Sequence, residues 1–334
     1  MINDQVMLNQ WFPVERSANL ADKQLKAVIL LEQELVLVRL NRKVSVFKDQ
    51  CVHRGSPLSR GCFKNGHLAC PYHSWEYDAT GKCVRMPAHP DQKIPKNAKL
   101  TSYHVQERYG FIWVCLGEPE SEELFEFKQA EDPDYRSVFV GSWALETSAF
   151  RVVENFLDIS HFPYVHPGRL GDENCPEVKD YKVETSEKGV IASEVIFPQP
   201  RANFFSEGMQ DIRYTYRIKA PHIAILYKES VEKNEDPTDV ILLAVMPVTE
   251  ETNIAHMLVT TSYGEDIASN EEVIAFNEGI FLEDAPIINF QKPKKLPLEL
   301  DEELHQRSDQ TSIAYRRWLK ESGVTYGTTA YISH

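Results

Sequence analysis

The sequence has few cysteines, no long apolar run and no excess of positive charge. Six cysteines in 334 residues are too few and too unevenly spread for a disulfide framework, so a cytoplasmic location is expected. The longest apolar run, Ile241–Val248, is too short to span a membrane, and no signal peptide is expected. Acidic side chains outnumber basic ones by 50 to 36, and the net charge of −14 argues against a nucleic-acid partner.

The first third of the chain carries strand patterns. Residues 27–31 and 35–38 are apolar, and residues 44–47 alternate after a polar turn, which predicts β-hairpins. Residues 117–134 hold eight acidic side chains against one lysine, which indicates a linker. We therefore predict a first domain at residues 1–118, an acidic linker at 119–134 and a second domain at 135–334.

The second domain combines long strand patterns with two helices. Residues 240–248 and 254–261 are strand-like and are joined by a polar turn, which predicts an antiparallel sheet. A helix is predicted from Ser269, because Ser269 and Glu272 form a capping box, and a second helix is predicted at residues 308–319. The predicted fold class is α+β.

Two short loops each offer one thiolate and one imidazole: Cys51 and His53, then Cys70 and His73. A structural zinc ion accepts the same four ligands. Zinc sites, however, usually pair two cysteines in one loop. Loops that mix cysteine with histidine suit a [2Fe-2S] cluster in which one iron has two cysteines and the other has two histidines. The pattern favours this cluster, with zinc as the alternative.

A second constellation follows the predicted linker. Asn155, Asp158 and His161 are spaced at i, i+3 and i+6, which predicts one face of a helix. Pro163 predicts a break that lets His166 approach from another direction. Two imidazoles and a carboxylate on one face of ferrous iron leave positions open for dioxygen. The alternative is a pair of buried histidines at a helix end.

These motifs resemble those of one enzyme family. The segments CVHRG at 51–55 and CPYHSW at 70–75 resemble the two boxes of Rieske non-heme iron oxygenases, the ring-hydroxylating oxygenase family. The pattern at 155–166 resembles the mononuclear-iron motif of that family, and FLEDAP at 281–286 resembles its third-ligand segment. The resemblance extends over about residues 7–325. One departure is Ser74, where the family usually has glycine, so a positive φ there would strain the backbone.

The resemblance implies a ligand set and an assembly. Cys51, His53, Cys70 and His73 would hold the [2Fe-2S] cluster. A mononuclear Fe(II) would be held by His161, His166 and Asp284, with Glu283 as the alternative third ligand. Asn155 would lie beside the iron pocket. Asp158 would lie between His161 and His73 of the partner subunit in a homotrimer.

The implied fold is an all-β Rieske iron–sulfur domain followed by a helix-grip (START-like) domain with an antiparallel sheet. The implied activity is that of the oxygenase component of a multi-component system. Electrons from NAD(P)H would arrive through a ferredoxin and/or a flavin reductase, and dioxygen would be used to hydroxylate or demethylate a small organic substrate. Segments at 107–110 and 317–327 resemble saxitoxin-pathway hydroxylases and methylxanthine N-demethylases.

Three alternatives remain from the sequence alone: a cis-dihydroxylating arene dioxygenase, a non-catalytic zinc-stabilised ligand-binding protein, and a simple Rieske electron carrier. The charge distribution also bears on partners. Residues 51–90 contain five basic and two acidic side chains, so this stretch is +3 and the remainder of the chain is −17. This contrast predicts docking of an acidic electron donor on the cluster-bearing loops.

Overall fold

The structure is a computed structural model that describes residues 2–201, 203–204, 206, 208–231 and 239–330. The chain divides into two compact units, Met1–Leu124 and Phe125–His334. The predicted acidic linker spans this division. No helix in the described part of the chain is long and apolar enough to cross a membrane.

The first unit is built almost entirely from short strands. A four-residue helix, α1 (Gln5–Leu8), is its one α-helix within residues 2–124. The strands are β1 (Phe12–Arg16), β2 (Gln24–Leu30), β3 (Gln33–Leu40), β4 (Lys43–Lys48), β5 (Cys62–Lys64), β6 (His67–Ala69), β7 (Glu76–Tyr77), β8 (Cys83–Arg85), β9 (His104–Arg108) and β10 (Phe111–Cys115). They pair in three sheets with orders β1-β10-β9, β2-β3-β4 and β5-β6-β7-β8. All these pairings are antiparallel.

The two predicted cluster loops lie over one apolar core. The first loop follows β4, and the second connects β6 to β7. Val36, Phe47, Leu58 and Leu68 are nearly inaccessible to solvent and pack in the same cluster of side chains as the two loop cysteines. Because the loops rest on strands whose apolar faces are fully buried, their backbone positions are fixed by the core.

The second unit contains one large antiparallel sheet and four helices within the described residues. The strands are β11 (Arg136–Leu145), β12 (Lys182–Ser186), β13 (Gly189–Gln199), β14 (Gln210–Ala220), β15 (Ile223–Ser230), β16 (Asp239–Thr249) and β17 (Thr252–Thr261). Their order in the sheet is β11-β17-β16-β15-β14-β13-β12. The helices are α2 (Ala149–Leu157), α3 (Phe162–Val165), α4 (Asn270–Phe290) and α5 (Gln310–Glu321).

The long helix α4 begins where the sequence predicts. The Ser269 side chain accepts from the backbone N–H of Glu272, and the Glu272 side chain accepts from the backbone of Ser269, which completes the capping box. Phe281 of α4 stacks on Trp143 of β11, with ring centroids 4.1 Å apart. The predicted α+β class, a β-rich first domain followed by a large antiparallel sheet with a long helix, is confirmed.

The predicted helix through the second motif is wrong. Helix α2 ends at Leu157, and Asp158 adopts an extended conformation with ψ 132°. The Asp158 carboxylate accepts from the backbone N–H and the hydroxyl of Ser160, at 2.8 and 2.6 Å. Such local side-chain bonds compete with helical bonds, so the chain turns here instead of continuing as a helix. Pro163 lies in the first turn of α3, a position that proline tolerates.

Candidate metal centres

Three ligand atoms of the second unit converge on one point. The Nε2 atoms of His161 and His166 are 3.3 Å apart. Asp284 Oδ1 lies 3.3 Å from Nε2 of His161 and 3.2 Å from Nε2 of His166. Ligand bonds of about 2.0–2.2 Å at right angles place ligand atoms about 3 Å apart. The triad therefore fits a single metal ion bound on one face.

Three different elements supply this triad. His161 lies in the turn after α2, His166 follows α3, and Asp284 lies on α4. His166 is 1% exposed and Asp284 is 9% exposed. Buried carboxylates and imidazoles are stable only when paired or bound to a metal, so this burial is itself a sign of a site.

Both histidines contact a second carboxylate through their other ring nitrogen. His161 Nδ1 lies 3.1 Å from Asp158 Oδ2, and His166 Nδ1 lies 2.8 Å from Glu283 Oε2. Glu283 is held in turn by Arg169, at 2.8 Å. These bonds fix the ring orientations and leave Nε2 of each ring for the metal. Glu283, the alternative third ligand, thus points at the far side of His166.

The carboxylates also govern protonation of the triad. Burial alone would lower the pKa of His161, but the carboxylates of Asp158 and Asp284 outweigh it and raise the pKa to about 9. Burial likewise would raise the pKa of Asp284, but its bonds to the two histidines lower it. Without a metal, the site therefore holds an imidazolium against an ionised carboxylate, and a divalent cation would replace the proton.

A cavity adjoins the triad. It contains about 640 Å³ of space not occupied by protein atoms, part of it open to solvent. Most of its lining is apolar and comes from α2, α4 and the sheet. Asn155 is among the lining residues, and its side-chain amide donates to Asp284 Oδ1 at 3.5 Å.

Sequence reasoning missed the polar residues on the sheet side of this cavity. Tyr214 and Tyr216 of β14 and Lys228 of β15 line it and are almost fully buried. The alternation of polar and apolar residues in β14 is typical of a strand, but it does not tell which face meets the cavity. That information depends on pairing with neighbouring strands, so no local signal could have supplied it.

The first unit brings the other four predicted ligands together. The Nδ1 atoms of His53 and His73 are 3.2 Å apart, and both rings are exposed. Partial loss of hydration and the neighbouring His73 lower the pKa of His53, which favours the neutral ring that a metal needs. Trp75 stacks on His53 with ring planes 3° apart, which holds that ring.

The cysteine side of the same site is buried. Cys51 and Cys70 are each 2% exposed, and burial and the adjacent thiol of Cys70 raise the pKa of Cys51. The Tyr77 hydroxyl lies 3.1 Å from Cys51 Sγ. Two buried sulfurs and two exposed imidazoles match a cluster with one iron toward the protein and one toward solvent. The donor set therefore fits a Rieske cluster.

Ser74 shows the strain that its sequence position suggested. Its φ is +53°, in the left-handed region that favours glycine. The Ser74 N–H donates to the carbonyl of Cys70, and its hydroxyl accepts from Lys64 Nζ at 2.9 Å. The tight turn of the second loop thus uses a conformation that a serine adopts at some cost.

Comparison with known proteins agrees with both centres. A family profile for the Rieske [2Fe-2S] domain matches residues 10–104. A second profile, the vanillate O-demethylase oxygenase C-terminal domain, matches residues 145–323, which is more than half of the chain. The chain belongs to the Rieske non-heme iron oxygenases. Members of this family use a [2Fe-2S] cluster, mononuclear iron, dioxygen and electrons from a reductase, so the prediction of an oxygenase component is confirmed.

The relatives of this oxygenase include N-demethylases. It is 32% identical to methylxanthine N1-demethylase NdmA of Pseudomonas putida over 88% of this chain and 82% of that one. It is 40% identical to the probable methylxanthine N7-demethylase NdmC of a Pseudomonas strain over 66% of this chain and 78% of the relative. The crystal structure of NdmA with caffeine superposes with a TM-score of 0.83 and 30% identity, covering 95% of this chain and 91% of that one.

The fold extends to more distant oxygenases. Dicamba monooxygenase bound to dicamba superposes with a TM-score of 0.78 at 21% identity, covering 96% and 98% of the two chains. Family membership and the convergent triad together set aside the zinc-stabilised binding protein and the simple electron carrier.

Proposed function

We propose that this oxygenase removes N-methyl groups from small, uncharged heteroaromatic compounds. The observation that carries the proposal is that the His161–His166–Asp284 triad opens onto a mostly apolar cavity. A planar apolar ring would pack against Phe156 and Phe281, with a methyl group directed at the triad. The named relatives that demethylate methylxanthines support N-demethylation over the arene dihydroxylation that the sequence also permitted.

Each predicted site residue has a role in this proposal. His161, His166 and Asp284 hold Fe(II), and Cys51, His53, Cys70 and His73 hold the cluster. The bound iron and cluster would supply dioxygen activation with two electrons from a reductase. Hydroxylation of the N-methyl carbon would then release formaldehyde and leave N–H on the ring, with the second oxygen atom leaving as water. The apolar lining excludes bulk water and orients the methyl carbon. Asn155 keeps the Asp284 carboxylate in place through its amide.

Asp158 is the proposed bridge between the two centres. It bonds His161 Nδ1, yet its side chain remains 31% exposed, so one edge is accessible to a neighbouring molecule. The His73 ring is exposed as well. We propose a homotrimer in which Asp158 also bonds His73 of the partner subunit, because a head-to-tail contact of this kind closes into a ring.

The function is tested by turnover with a surrogate reductase. Caffeine, theobromine and an O-methylated aromatic acid, vanillate, are supplied with NADH, and formaldehyde and dioxygen consumption are measured together. The expected result is formaldehyde formed in proportion to dioxygen consumed with at least one N-methylated compound. Asp284→Ala should retain the cluster but form no formaldehyde. Cys70→Ser should lose the cluster and also form no formaldehyde.

Dihydroxylation would place both atoms of dioxygen in the product, and no formaldehyde would be released. Such a product, or formaldehyde from the O-methylated acid alone, would contradict the proposal. The cluster absorbance of each variant provides the control for intact folding of the first unit.

A further inference from the structure

Two polar side chains line the cavity without a part in the proposed metal centre. Lys228 of β15 is 8% exposed and Tyr216 of β14 is 1% exposed, and both belong to the cavity lining. The Tyr216 hydroxyl is buried and has no hydrogen-bond partner among the described residues. A buried hydroxyl without a partner is destabilising, so it marks a position that can donate to an acceptor atom of a bound ligand.

The register of the sheet places these two groups on one face. Lys228 pairs with Tyr214, and Tyr216 lies two residues further along the same strand. Side chains two residues apart on a strand point to the same side, so Tyr216 and Lys228 are diagonal neighbours. Lys228 Nζ lies 5.9 Å from the centroid of the Tyr214 ring.

A buried carboxylate lies next to Lys228 but does not line the cavity. Asp239 of β16 is the direct cross-strand partner of Lys228 and is 9% exposed, but it is not part of the cavity lining. The Tyr263 side chain hydrogen-bonds to it. Burial lowers the pKa of Lys228 and raises that of Asp239, while the attraction between the two charges opposes both shifts.

We propose that Lys228 and Tyr216 bind an uncharged oxygen acceptor of the substrate, such as a ring carbonyl, and that Asp239 makes the cavity discriminate against carboxylates. This inference rests on the proposed function only in taking the cavity as the substrate site. An ammonium alone in an apolar cavity would favour an anion. With Asp239 beside it, the pair is neutral, and an entering carboxylate meets a negative charge that cancels much of that attraction.

The neutral Lys228–Asp239 pair favours a carbonyl group over a carboxylate. Moving a carboxylate out of water carries a large free-energy cost, which only an uncompensated cation offsets. A carbonyl oxygen costs less to desolvate and gains hydrogen bonds from the ammonium and the phenol. The substrate class is therefore a methylated heterocycle with at least one ring carbonyl and no net charge.

The test measures binding to the holoenzyme without turnover. Dissociation constants for caffeine, theobromine and vanillate are determined by calorimetry under anaerobic conditions. The proteins are wild type, Lys228→Met, Tyr216→Phe, Asp239→Asn and Glu229→Gln. Glu229 is the matched control, because it adjoins Lys228 on the same strand but is exposed on the other face.

Wild type is expected to bind the two neutral compounds more tightly than vanillate. Lys228→Met should weaken their binding about tenfold and Tyr216→Phe about threefold, as expected for lost hydrogen bonds. Asp239→Asn should tighten vanillate relative to caffeine by about tenfold or more, because the lysine charge is no longer compensated. Glu229→Gln should change neither the affinity for the two neutral compounds nor their preference over vanillate.

The proposal is overturned if Asp239→Asn leaves the vanillate-to-caffeine ratio within twofold of wild type. It is also overturned if wild type binds vanillate at least as tightly as either neutral compound, or binds none of the three. These outcomes are separate from failure of the proposed function, which is an absence of formaldehyde in turnover. Thermal unfolding of each variant shows whether a loss of binding reflects a loss of folding.

Discussion

Glu283 and Asp284 contact opposite nitrogens of one imidazole ring. Glu283 Oε2 lies 2.8 Å from His166 Nδ1, and Asp284 Oδ1 lies 3.2 Å from His166 Nε2. Successive helical residues point about 100° apart, so two adjacent carboxylates can reach the two sides of a ring that lies across the helix. A proton on Nδ1 donated to Glu283 leaves the Nε2 lone pair for a metal. We therefore propose that Asp284 is a metal ligand and that Glu283 orients the His166 ring.

Neutralising each carboxylate should therefore have different results. Asp284→Ala should lose the mononuclear iron, because a ligand is missing, whereas Glu283→Gln should retain it with an affinity lower by about 10–100-fold. Iron in excess of the cluster is measured during titration with a chelator, and the cluster spectrum should be unchanged in both variants. Glu271→Gln, an exposed change on the same helix, is the control. Equal loss of iron from the Glu283 and Asp284 variants would contradict this division of roles.

Asp158→Asn should separate metal binding from electron transfer. The neutral side chain keeps its shape but loses the charge-assisted bond to His161, and with it the proposed bond to His73 of the partner subunit. Both metals and the trimer should remain, while oxidation of the reduced cluster should slow by at least about a hundredfold. The measurement is a single turnover with dioxygen and substrate, in which cluster absorbance is followed.

Ser160→Ala provides the matched control, since Ser160 bonds the other oxygen of Asp158. It should slow cluster oxidation far less than Asp158→Asn. Oxidation of the Asp158→Asn cluster at the wild-type rate, or full activity in a proven monomer, would show that the path through Asp158 is wrong.

The raised pKa of His161 predicts how pH affects metal loading. Because this pKa is about 9 in the metal-free site, His161 carries a proton at neutral pH that a metal must displace. Metal affinity should therefore rise by up to about tenfold per pH unit from pH 7 to 8.5. Proton release on metal binding is measured by calorimetry in buffers of different ionisation enthalpy.

The free energy of unfolding of the metal-free protein should fall as the pH rises, whereas the metal affinity rises. A folded pKa above the ordinary value of 6.5 means that the protonated ring stabilises the fold. This contribution is fully present below pH 6.5 and is lost as the pH rises through about 9. Asp158→Asn removes one of the two carboxylates that raise the pKa, so it should move both effects to lower pH. Metal affinity that is equal at pH 7 and 8.5 would contradict the prediction.

Features that depend on residues close together in the sequence could be predicted, and features that depend on distant residues could not. The cluster loops and the start of α4 depend on residues a few positions apart, so CVHRG, CPYHSW and the Ser269–Glu272 box identified them. The end of α2 was missed because the Asp158 side chain competes with the helix for backbone N–H groups. The polar wall of the cavity depends on strand pairing, and β13 contains a register shift between Ala192 and Val195 that no local pattern reveals.

A buried ion network supports the helix that leads to the metal site. Arg316 of α5 donates to both oxygens of Glu154 on α2, at 2.5 and 2.9 Å, and to Glu303 at 2.6 Å. Arg316→Met should lower the free energy of unfolding by up to about 3–5 kcal/mol, because the buried Glu154 would keep only the longer contact to Arg151, at 3.5 Å. Urea denaturation measures the loss, and adding Glu154→Gln should restore part of it.

The control for this network lies on the same helix. Lys320 pairs with Glu299 at the surface, and Lys320→Met should change the stability by less than about 1 kcal/mol. Equal effects of the Arg316 and Lys320 substitutions would show that burial of the network does not determine its contribution.

The cluster-bearing loops offer a basic surface to an electron donor. Arg54, Arg60 and Lys64 are exposed, whereas Arg85 is paired with the buried Glu76 at 2.7 Å. The exposed charge therefore comes from the segment between β4 and β5, which contains the first loop, and from the β5–β6 hairpin beside it. The chain has a net charge of −14 and therefore repels an acidic ferredoxin or reductase domain, but this basic surface attracts it.

Reversing this charge should slow reduction of the cluster. Arg60→Glu combined with Lys64→Glu should lower the second-order rate of reduction by about tenfold or more at low salt and weaken its dependence on ionic strength. Stopped-flow reduction at several salt concentrations measures both. Reversal of the exposed Lys182 and Lys188 in the second unit adds the same charge elsewhere and should have little effect. Because Lys64 also bonds Ser74, Lys64→Gln must first be shown to leave the cluster spectrum unchanged. If the two double variants slow reduction equally, overall charge and not this surface determines docking.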